Sequence, residues 1–134
     1  MLFGDEHVRR YEETDGAEGH EWQGTTTLIL TTTGRKSGKE RRNPLIYQKF
    51  GGDYLVVASN GGADEPPDWY LNLTANPEVR VQVKGDKFSA RARTATPEEK
   101  PEMWRVMAEV WPAYNDYQQK TDREIPVVVL ERVS

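Results

Sequence analysis

The amino-acid sequence predicts an α+β protein that is mainly β, with six antiparallel strands closing into a small barrel. Three observations predict this class. Short segments rich in β-branched residues recur along the chain, and most of the turns between them contain glycine. Strands and helices do not alternate regularly, which argues against a doubly wound parallel sheet. The length of 134 residues fits one domain with one core.

The first 24 residues are polar, contain several glycines and are rich in Glu. They predict a loose N-terminal arm, residues 1–24, with a short helix over residues 6–13, ahead of a folded domain over residues 25–134. The two histidines, His7 and His20, both fall in this arm. A Ser-His-Asp hydrolase and a His-rich metal site are therefore not expected.

Three strands are predicted in the first part of the folded domain. Residues 25–33 (TTTLILTTT) are dominated by β-branched side chains and are too short for a typical helix. Residues 43–50 form the second strand, with an irregularity at Pro44 because proline cannot donate a ladder hydrogen bond. A Gly-Gly-Asp turn then predicts a hairpin to residues 54–59, which are apolar and therefore central in the sheet. Residues 60–67 are expected to be an irregular loop.

The second part of the domain combines helices with three more strands. A short helix is predicted over residues 68–76, with prolines before its start and another after its end. Residues 78–94 alternate apolar and polar side chains around a Gly-Asp turn, which is typical of a β-hairpin. The sequence Thr-Pro-Glu-Glu predicts a capping box at the start of a helix over residues 96–111, which a proline ends. A short helix over residues 113–120 and a last strand over residues 125–133 follow.

A cationic turn separates the first two strands. Five basic residues face one carboxylate, Glu40, although the whole chain has a net charge of −4. Glycines and a serine permit a tight turn whose backbone N–H groups point inward, and arginine can grip phosphate or carboxylate as a fork. A P-loop is excluded because Glu40 stands where Ser or Thr would hold magnesium. An anion site and a solvated hairpin tip both remain open. The basic residues are Arg35, Lys36, Lys39, Arg41 and Arg42.

Two further motifs contain candidate ligand-binding residues. In the sequence SNGG, Ser59 provides a hydroxyl at a strand end, and residues 61–62 let a flat ligand approach the backbone; a flexible loop without a ligand is the alternative. Trp111, Tyr114 and Tyr117 are three residues apart and share one helix face. A tyrosine hydroxyl there could orient or protonate a substrate, although most such stripes belong to a core.

The composition excludes several other classes. Without Cys, the chain has no disulfides, thiolate nucleophiles or Cys-based metal sites, and no metal is expected. No apolar run approaches the roughly 18 residues that span a bilayer, and the polar N-terminal residues do not predict a secretory signal. A cytoplasmic location is therefore expected, with peripheral membrane association as a second option. The acidic balance argues against nucleic-acid binding, and a monomer is slightly favoured.

Four motifs, in this order, resemble the deazaflavin-dependent nitroreductase family of actinobacteria. They are TTTGRKSGKERRNPLIY, VVASNGG, PDWYLNLTANPEVRVQV and WPAYNDYQQKTDREIPVVVLERV, and the resemblance covers about residues 25–133. It implies a split β-barrel that binds coenzyme F420, a deazaflavin carrying a phosphodiester and a poly-γ-glutamate tail. It also implies hydride transfer from reduced F420 to a quinone, an enone or a nitroaromatic acceptor.

The resemblance also assigns roles to residues at matching positions. The phosphate and tail would be held by Arg35, Lys36, Ser37, Arg41 and Arg42. The ring would be flanked by Asn43, Pro44, Leu45, Ile46 and Tyr47 and by Val57, Ala58, Ser59 and Asn60. Asp68, Trp69 and Tyr70 would complete the pocket. The candidate catalytic residues are Ser59, Tyr114 and Tyr117, of which Tyr114 would also cover the ring.

The chain departs from several relatives at Ile46 and Trp111, where those relatives have tyrosine. Two hydroxyls are therefore missing, which argues against reduction of nitroimidazole prodrugs. Alternatives to the enzyme are a non-catalytic F420 carrier, an FMN-dependent split-barrel oxidoreductase and, ranked last, an RNA-binding protein, because few aromatic residues lie near the basic turn. Five cations exceed what a lone phosphate needs, which favours a longer anionic tail over FMN.

Overall fold

The computed structural model describes residues 2–133, so the ends of the two predicted segments, residues 1 and 134, lie outside it. Within this range the chain forms eight strands and four helices. In chain order they are α1 (Gly4–Thr14), β1 (Glu21–Trp22), β2 (Thr25–Thr33), β3 (Glu40–Ile46), β4 (Gln48–Phe50), β5 (Asp53–Val57), α2 (Asp68–Ala75), β6 (Glu78–Val83), β7 (Asp86–Thr94), α3 (Lys100–Val110), α4 (Ala113–Gln119) and β8 (Val127–Arg132).

All strand pairs are antiparallel. The strands follow the order β1-β2-β6-β7-β8-β5-β4, and β3 pairs with β2 outside this path. Only Tyr47 separates β3, which pairs with β2, from β4, which pairs with β5. One bent stretch of chain therefore borders both edges of the sheet, as in a barrel. The mainly β, α+β prediction is confirmed. The six predicted strands become eight because the second begins earlier and breaks at Tyr47, and because β1 is added.

The sheet is buried on both faces at β5. Along β5, Tyr54 and Val56 belong to the cluster inside the barrel, whereas Leu55 and Val57 belong to a cluster with Met107 of α3. Successive side chains of a strand point to opposite faces, so a strand that is covered on both sides must be apolar throughout. This explains the continuous apolar sequence that predicted a central strand.

The predicted capping box is present before α3. The Thr96 amide donates to Glu99 Oε1 at 2.9 Å, and the Glu99 amide donates to Thr96 Oγ1 at 3.3 Å. Arg93 of β7 also donates to both Glu99 oxygens, at 2.6 and 2.8 Å. Hydrogen bonding to Arg93, more than any other contact, lowers the pKa of Glu99 to about 2. The cap therefore also ties α3 to the sheet.

The expectation of a loose N-terminal arm is wrong. The helix is longer than the predicted residues 6–13, and its residues His7, Val8 and Tyr11 are buried. Val8 and Tyr11 pack against Ile29 of β2. A few apolar residues at helical spacing are enough to dock a helix whose average composition is polar. The division of the chain at residue 24 otherwise stays a prediction.

No helix among residues 2–133 has both the length and the apolar character that a membrane span requires.

Candidate active site

A cleft of about 1940 Å³ is lined by residues of α1, β3, α2 and α4 and of the turns after β2 and β5. The structure brings most of the sequence-predicted residues to this cleft. Those that line it are Arg35, Lys36, Ser37, Arg41, Arg42, Asn43, Pro44, Leu45, Ile46, Val57, Ser59, Asn60, Asp68, Trp69, Tyr114 and Tyr117. Segments far apart in sequence therefore form one cavity.

Three predicted residues do not line the cleft. The Tyr47 side chain is buried, and its hydroxyl is 2.9 Å from Nε2 of His20. Ala58 is fully buried, and its amide donates to the Pro126 carbonyl at 3.0 Å. The Tyr70 hydroxyl is 2.8 Å from that of Thr94 and lies in a separate crevice. Tyr47 and Ala58 are thus part of the buried core, and Tyr70 faces a different part of the surface.

Part of the backbone that was predicted to form an anion nest at the cationic turn is already hydrogen-bonded within the protein. The Gly34 amide donates to the Lys39 carbonyl at 2.7 Å, and the Gly38 amide donates to the Gly34 carbonyl at 2.8 Å. The Arg35 amide donates to Oδ1 of Asn72 at 3.1 Å. Acceptors of the protein take these three amides, whereas the amides of Lys36 and Ser37 make no hydrogen bond within residues 2–133. An anion at this turn can therefore be bound by these two amides together with the side chains.

The cations of the turn differ in how far they are already neutralised. Lys36 and Arg41 form no ion pair with any carboxylate in the described part of the chain. Arg35 donates to Oδ1 of Asn72 at 2.9 Å and lies 3.6 Å from Asp68. Lys36 and Arg41 line the cleft and carry the positive charge that is available to a ligand.

Aromatic residues form another part of the cleft lining. Tyr114 is only 5% exposed, and its ring packs against Trp104 and Tyr117. Burial, and to a smaller extent Tyr117, raises the pKa of the Tyr114 hydroxyl. The side-chain hydroxyls of Ser59, Tyr114 and Tyr117 make no hydrogen bond within residues 2–133, so each can bond to a ligand. The predicted aromatic stripe therefore contributes to both the core and the cleft.

The two glycines after Ser59 differ in their surroundings. Both have a positive φ, 64° for Gly61 and 87° for Gly62. A Cβ at Gly61 would meet no atom within 4 Å, and Gly61 lines the cleft, as expected for close approach of a flat ligand. A Cβ at Gly62 would lie 2.9 Å from the Tyr117 carbonyl oxygen. Gly62 is thus required for packing against α4, and the expected role in ligand approach fits Gly61 alone.

Sequence reasoning missed Arg123, which fixes the loop after β5. Its guanidinium donates to the carbonyl oxygens of Ala58 at 3.2 Å, Ser59 at 2.9 Å and Ala63 at 2.9 Å. These bonds cross about 60 residues of sequence. An arginine in a polar loop gives no local signal of such a role.

The aromatic wall contributed by the N-terminal segment was also missed. Trp22 of β1 lies 6.0 Å from Trp111 and 5.7 Å from Phe3, measured between ring centroids. All three rings line the cleft. The polar composition of residues 1–24 hid this contribution.

The fold and the cleft together define a split-barrel protein that binds an anionic, ring-containing cofactor. The chain belongs to the F420H(2)-dependent quinone reductase family, whose model matches residues 4–132. The resemblance drawn from the four motifs is therefore confirmed.

Three similar proteins agree with this assignment. An F420H(2)-dependent quinone reductase of Mycobacterium tuberculosis is 39% identical over 130 residues, covering 94% of this chain and 87% of that protein. A solved structure of an F420-H2-dependent reductase is 43% identical, with a TM-score of 0.73, covering 78% of this chain and 93% of the other. A structure described as a domain-swapped dimer is 39% identical, with a TM-score of 0.75, covering 92% of this chain and 96% of the other.

Proposed function

We propose that this protein is an F420H2-dependent oxidoreductase that transfers a hydride to a quinone, with enones and nitroaromatics as further acceptors. The observation that carries the proposal is the cleft itself. It combines cations without a carboxylate partner among residues 2–133, Lys36 and Arg41, with the hydroxyls of Ser59, Tyr114 and Tyr117 in one cavity. Family membership and the named activity of the relatives support the same cofactor and acceptor class.

The residues of the cleft fit the cofactor. Lys36 and Arg41, with Arg35 and Arg42 beside them, would hold the phosphodiester and the acidic tail. The exposed backbone at Gly61 would let the flat ring approach closely. A cavity of about 1940 Å³ has room for a cofactor and a small acceptor together.

Reduced F420, when bound, supplies a hydride to an electron-poor acceptor. The protein's part is to orient the two molecules and to exclude water. Because burial raises its pKa, the Tyr114 hydroxyl keeps its proton near neutral pH. It would therefore donate a hydrogen bond to the acceptor oxygen as negative charge develops, rather than release its proton. Ser59 and Tyr117 provide further hydroxyls for this stabilisation.

Turnover tests the enzymatic part of the proposal. The protein is mixed with F420H2 and menadione, an enone or a nitroaromatic, and we expect deazaflavin absorbance to return catalytically. Tyr114→Phe should lower kcat about 100-fold, by removing one preorganised donor, with nearly unchanged F420 affinity. Tyr70→Phe, which removes a hydroxyl outside the cleft, is the matched control. Binding without turnover on any acceptor would favour the carrier alternative.

Cofactor choice is tested by titrating F420 and FMN while following tryptophan fluorescence, since Trp22, Trp69 and Trp111 line the cleft. We expect F420 to bind more tightly, and Lys36→Gln with Arg41→Gln to weaken its binding. Lys87→Gln, an exposed lysine outside the cleft, is the control for a general loss of charge. Tighter binding of FMN would favour the flavin alternative.

The assembly state is a separate part of the proposal. The sequence slightly favours a monomer, whereas the similar structure described as a domain-swapped dimer supports a dimer. The molar mass from light scattering distinguishes the two. A cytoplasmic location stays a prediction.

A further inference from the structure

Helix α1 places acidic side chains in the cleft that contains the cationic turn. Asp5, Glu12 and Glu13 of α1 line it, together with Arg41 and Arg42 of β3. The Glu12 carboxylate lies 3.6 Å from Nε of Arg42. A second carboxylate, that of Glu40, lies 3.2 Å from Nη2 of the same arginine. Arg42 is therefore already paired with two carboxylates of the protein.

This arrangement distinguishes Arg42 from its neighbours. Lys36 and Arg41 have no carboxylate partner among residues 2–133, so an anion can reach them without displacing anything. An acidic group that approaches Arg42 must instead compete with Glu40 of the turn itself and with Glu12 of α1. The Glu12 and Arg42 side chains are 33% and 48% exposed, so this ion pair can open at small cost.

We propose that Glu12 limits the negative charge that the site accepts, by competing with the tail carboxylates of the cofactor for Arg42. This inference rests on the proposed function. A displaced Glu12 carboxylate remains attached to α1 and repels nearby anions. Because the repulsion acts over about 8 Å at physiological ionic strength, it acts on acidic groups that are bound close to Arg42. The chain therefore discriminates against long acidic tails.

Two variants of α1 provide a matched comparison. Glu12→Gln and Glu13→Gln remove the same formal charge from the same helix and the same cleft. Glu13 lies 3.4 Å from Arg9, whereas Glu12 pairs with Arg42. A gain in affinity that depends on Arg42 should therefore appear in Glu12→Gln and be smaller in Glu13→Gln.

The test measures the dissociation constant of F420 by tryptophan quenching, with short-tailed and long-tailed forms of the cofactor. We expect Glu12→Gln to tighten binding by about 2- to 5-fold, and the gain to be larger for the longer tail. The gain should disappear in about 1 M salt, where the screening length is near 3 Å. The gain in affinity should also disappear when Arg42→Gln is present, because Glu12 and the ligand then have no guanidinium to compete for. Circular dichroism checks that each variant is folded.

Three results would overturn the inference while leaving the proposed function intact. They are an equal gain in Glu12→Gln and Glu13→Gln, a gain that persists without Arg42, and weaker binding by Glu12→Gln. The last would mean that Glu12 positions Arg42 for the ligand. Failure of the wild-type protein to bind F420 would overturn the proposed function and this inference together.

Discussion

Replacing Tyr11 by Phe tests how much the hydrogen bonds of the Tyr11 hydroxyl stabilise the docking of α1 on the barrel. The Tyr11 side chain is fully buried. Its hydroxyl donates to the Thr27 carbonyl at 3.0 Å and accepts from the Lys84 amide at 2.7 Å. The variant keeps the ring but leaves both backbone groups without this partner. An unsatisfied buried polar group costs about 1–3 kcal/mol. Because Lys84 is exposed and its amide can rehydrate, we expect a total loss of about 2–3 kcal/mol.

The assay is urea unfolding followed by tryptophan fluorescence. A loss of this size is a large part of the roughly 5–15 kcal/mol that stabilises a domain. It should lower the urea concentration at half-unfolding without changing the slope of the unfolding free energy against urea concentration. Tyr70→Phe is the control, because its hydroxyl bonds to Thr94 at an exposed position. Its effect should stay within about 0.5 kcal/mol.

The pH dependence provides a second readout of the same hydroxyl. Burial, the largest effect, raises the pKa of Tyr11 from 10.0 to about 12. The unfolded chain therefore loses this proton first as the pH rises. The contribution to stability is fully present below pH 10 and is lost progressively between pH 10 and about 12. Tyr11→Phe should lose less stability than the wild type in this interval. If the variant costs less than about 0.5 kcal/mol and the loss of stability above pH 10 is unchanged, the Tyr11 hydroxyl does not contribute to the docking of α1.

Three further predictions concern other parts of the molecule. Burial, more than the nearby charges, lowers the pKa of His20, so the folded state favours the neutral ring. The free energy of unfolding should fall as the pH drops below 6.5, and His20→Gln should flatten that slope in urea unfolding at each pH. Arg123→Gln should weaken F420 binding about 10-fold in the quenching titration, because it removes the hydrogen bonds to the loop after β5. Arg123→Lys should restore part of the affinity. Unchanged affinity in Arg123→Gln would mean that this loop keeps its conformation without those hydrogen bonds. Gly61→Ala should cost about 1–2 kcal/mol for its positive φ alone, and Gly62→Ala should cost more in thermal unfolding because its Cβ meets the Tyr117 carbonyl. Equal costs for the two glycines would contradict that packing role.

Local patterns in the sequence predicted most secondary-structure elements. The β-branched segment before the cationic turn is β2, the hairpin over residues 78–94 is β6 and β7, and the Thr96–Glu99 cap is formed. Each depends on residues within a few positions of one another, so a single stretch of chain contains the whole signal. The order of the motifs then indicated the family, and with it the residues that meet in the cleft.

Long-range contacts account for what was wrong or missing. The amides of the cationic turn were expected to bind an anion, but Asn72, 37 residues away, accepts from one of them. Arg123 holds the Ser59 carbonyl across 64 residues. Neither partner is marked by composition or periodicity, because its role exists only once the strands have paired.

The sequence by itself determined most of the strands and helices, the cationic turn and the family, because these follow from short-range periodicity and from ordered motifs. The tertiary structure alone decided that α1 forms a wall of the cleft, which cations are free and which hydroxyls lack partners. The physical reason is closure of the barrel. The bend at Tyr47 joins the two edges of the sheet, and the resulting register sets which distant side chains come within hydrogen-bonding distance.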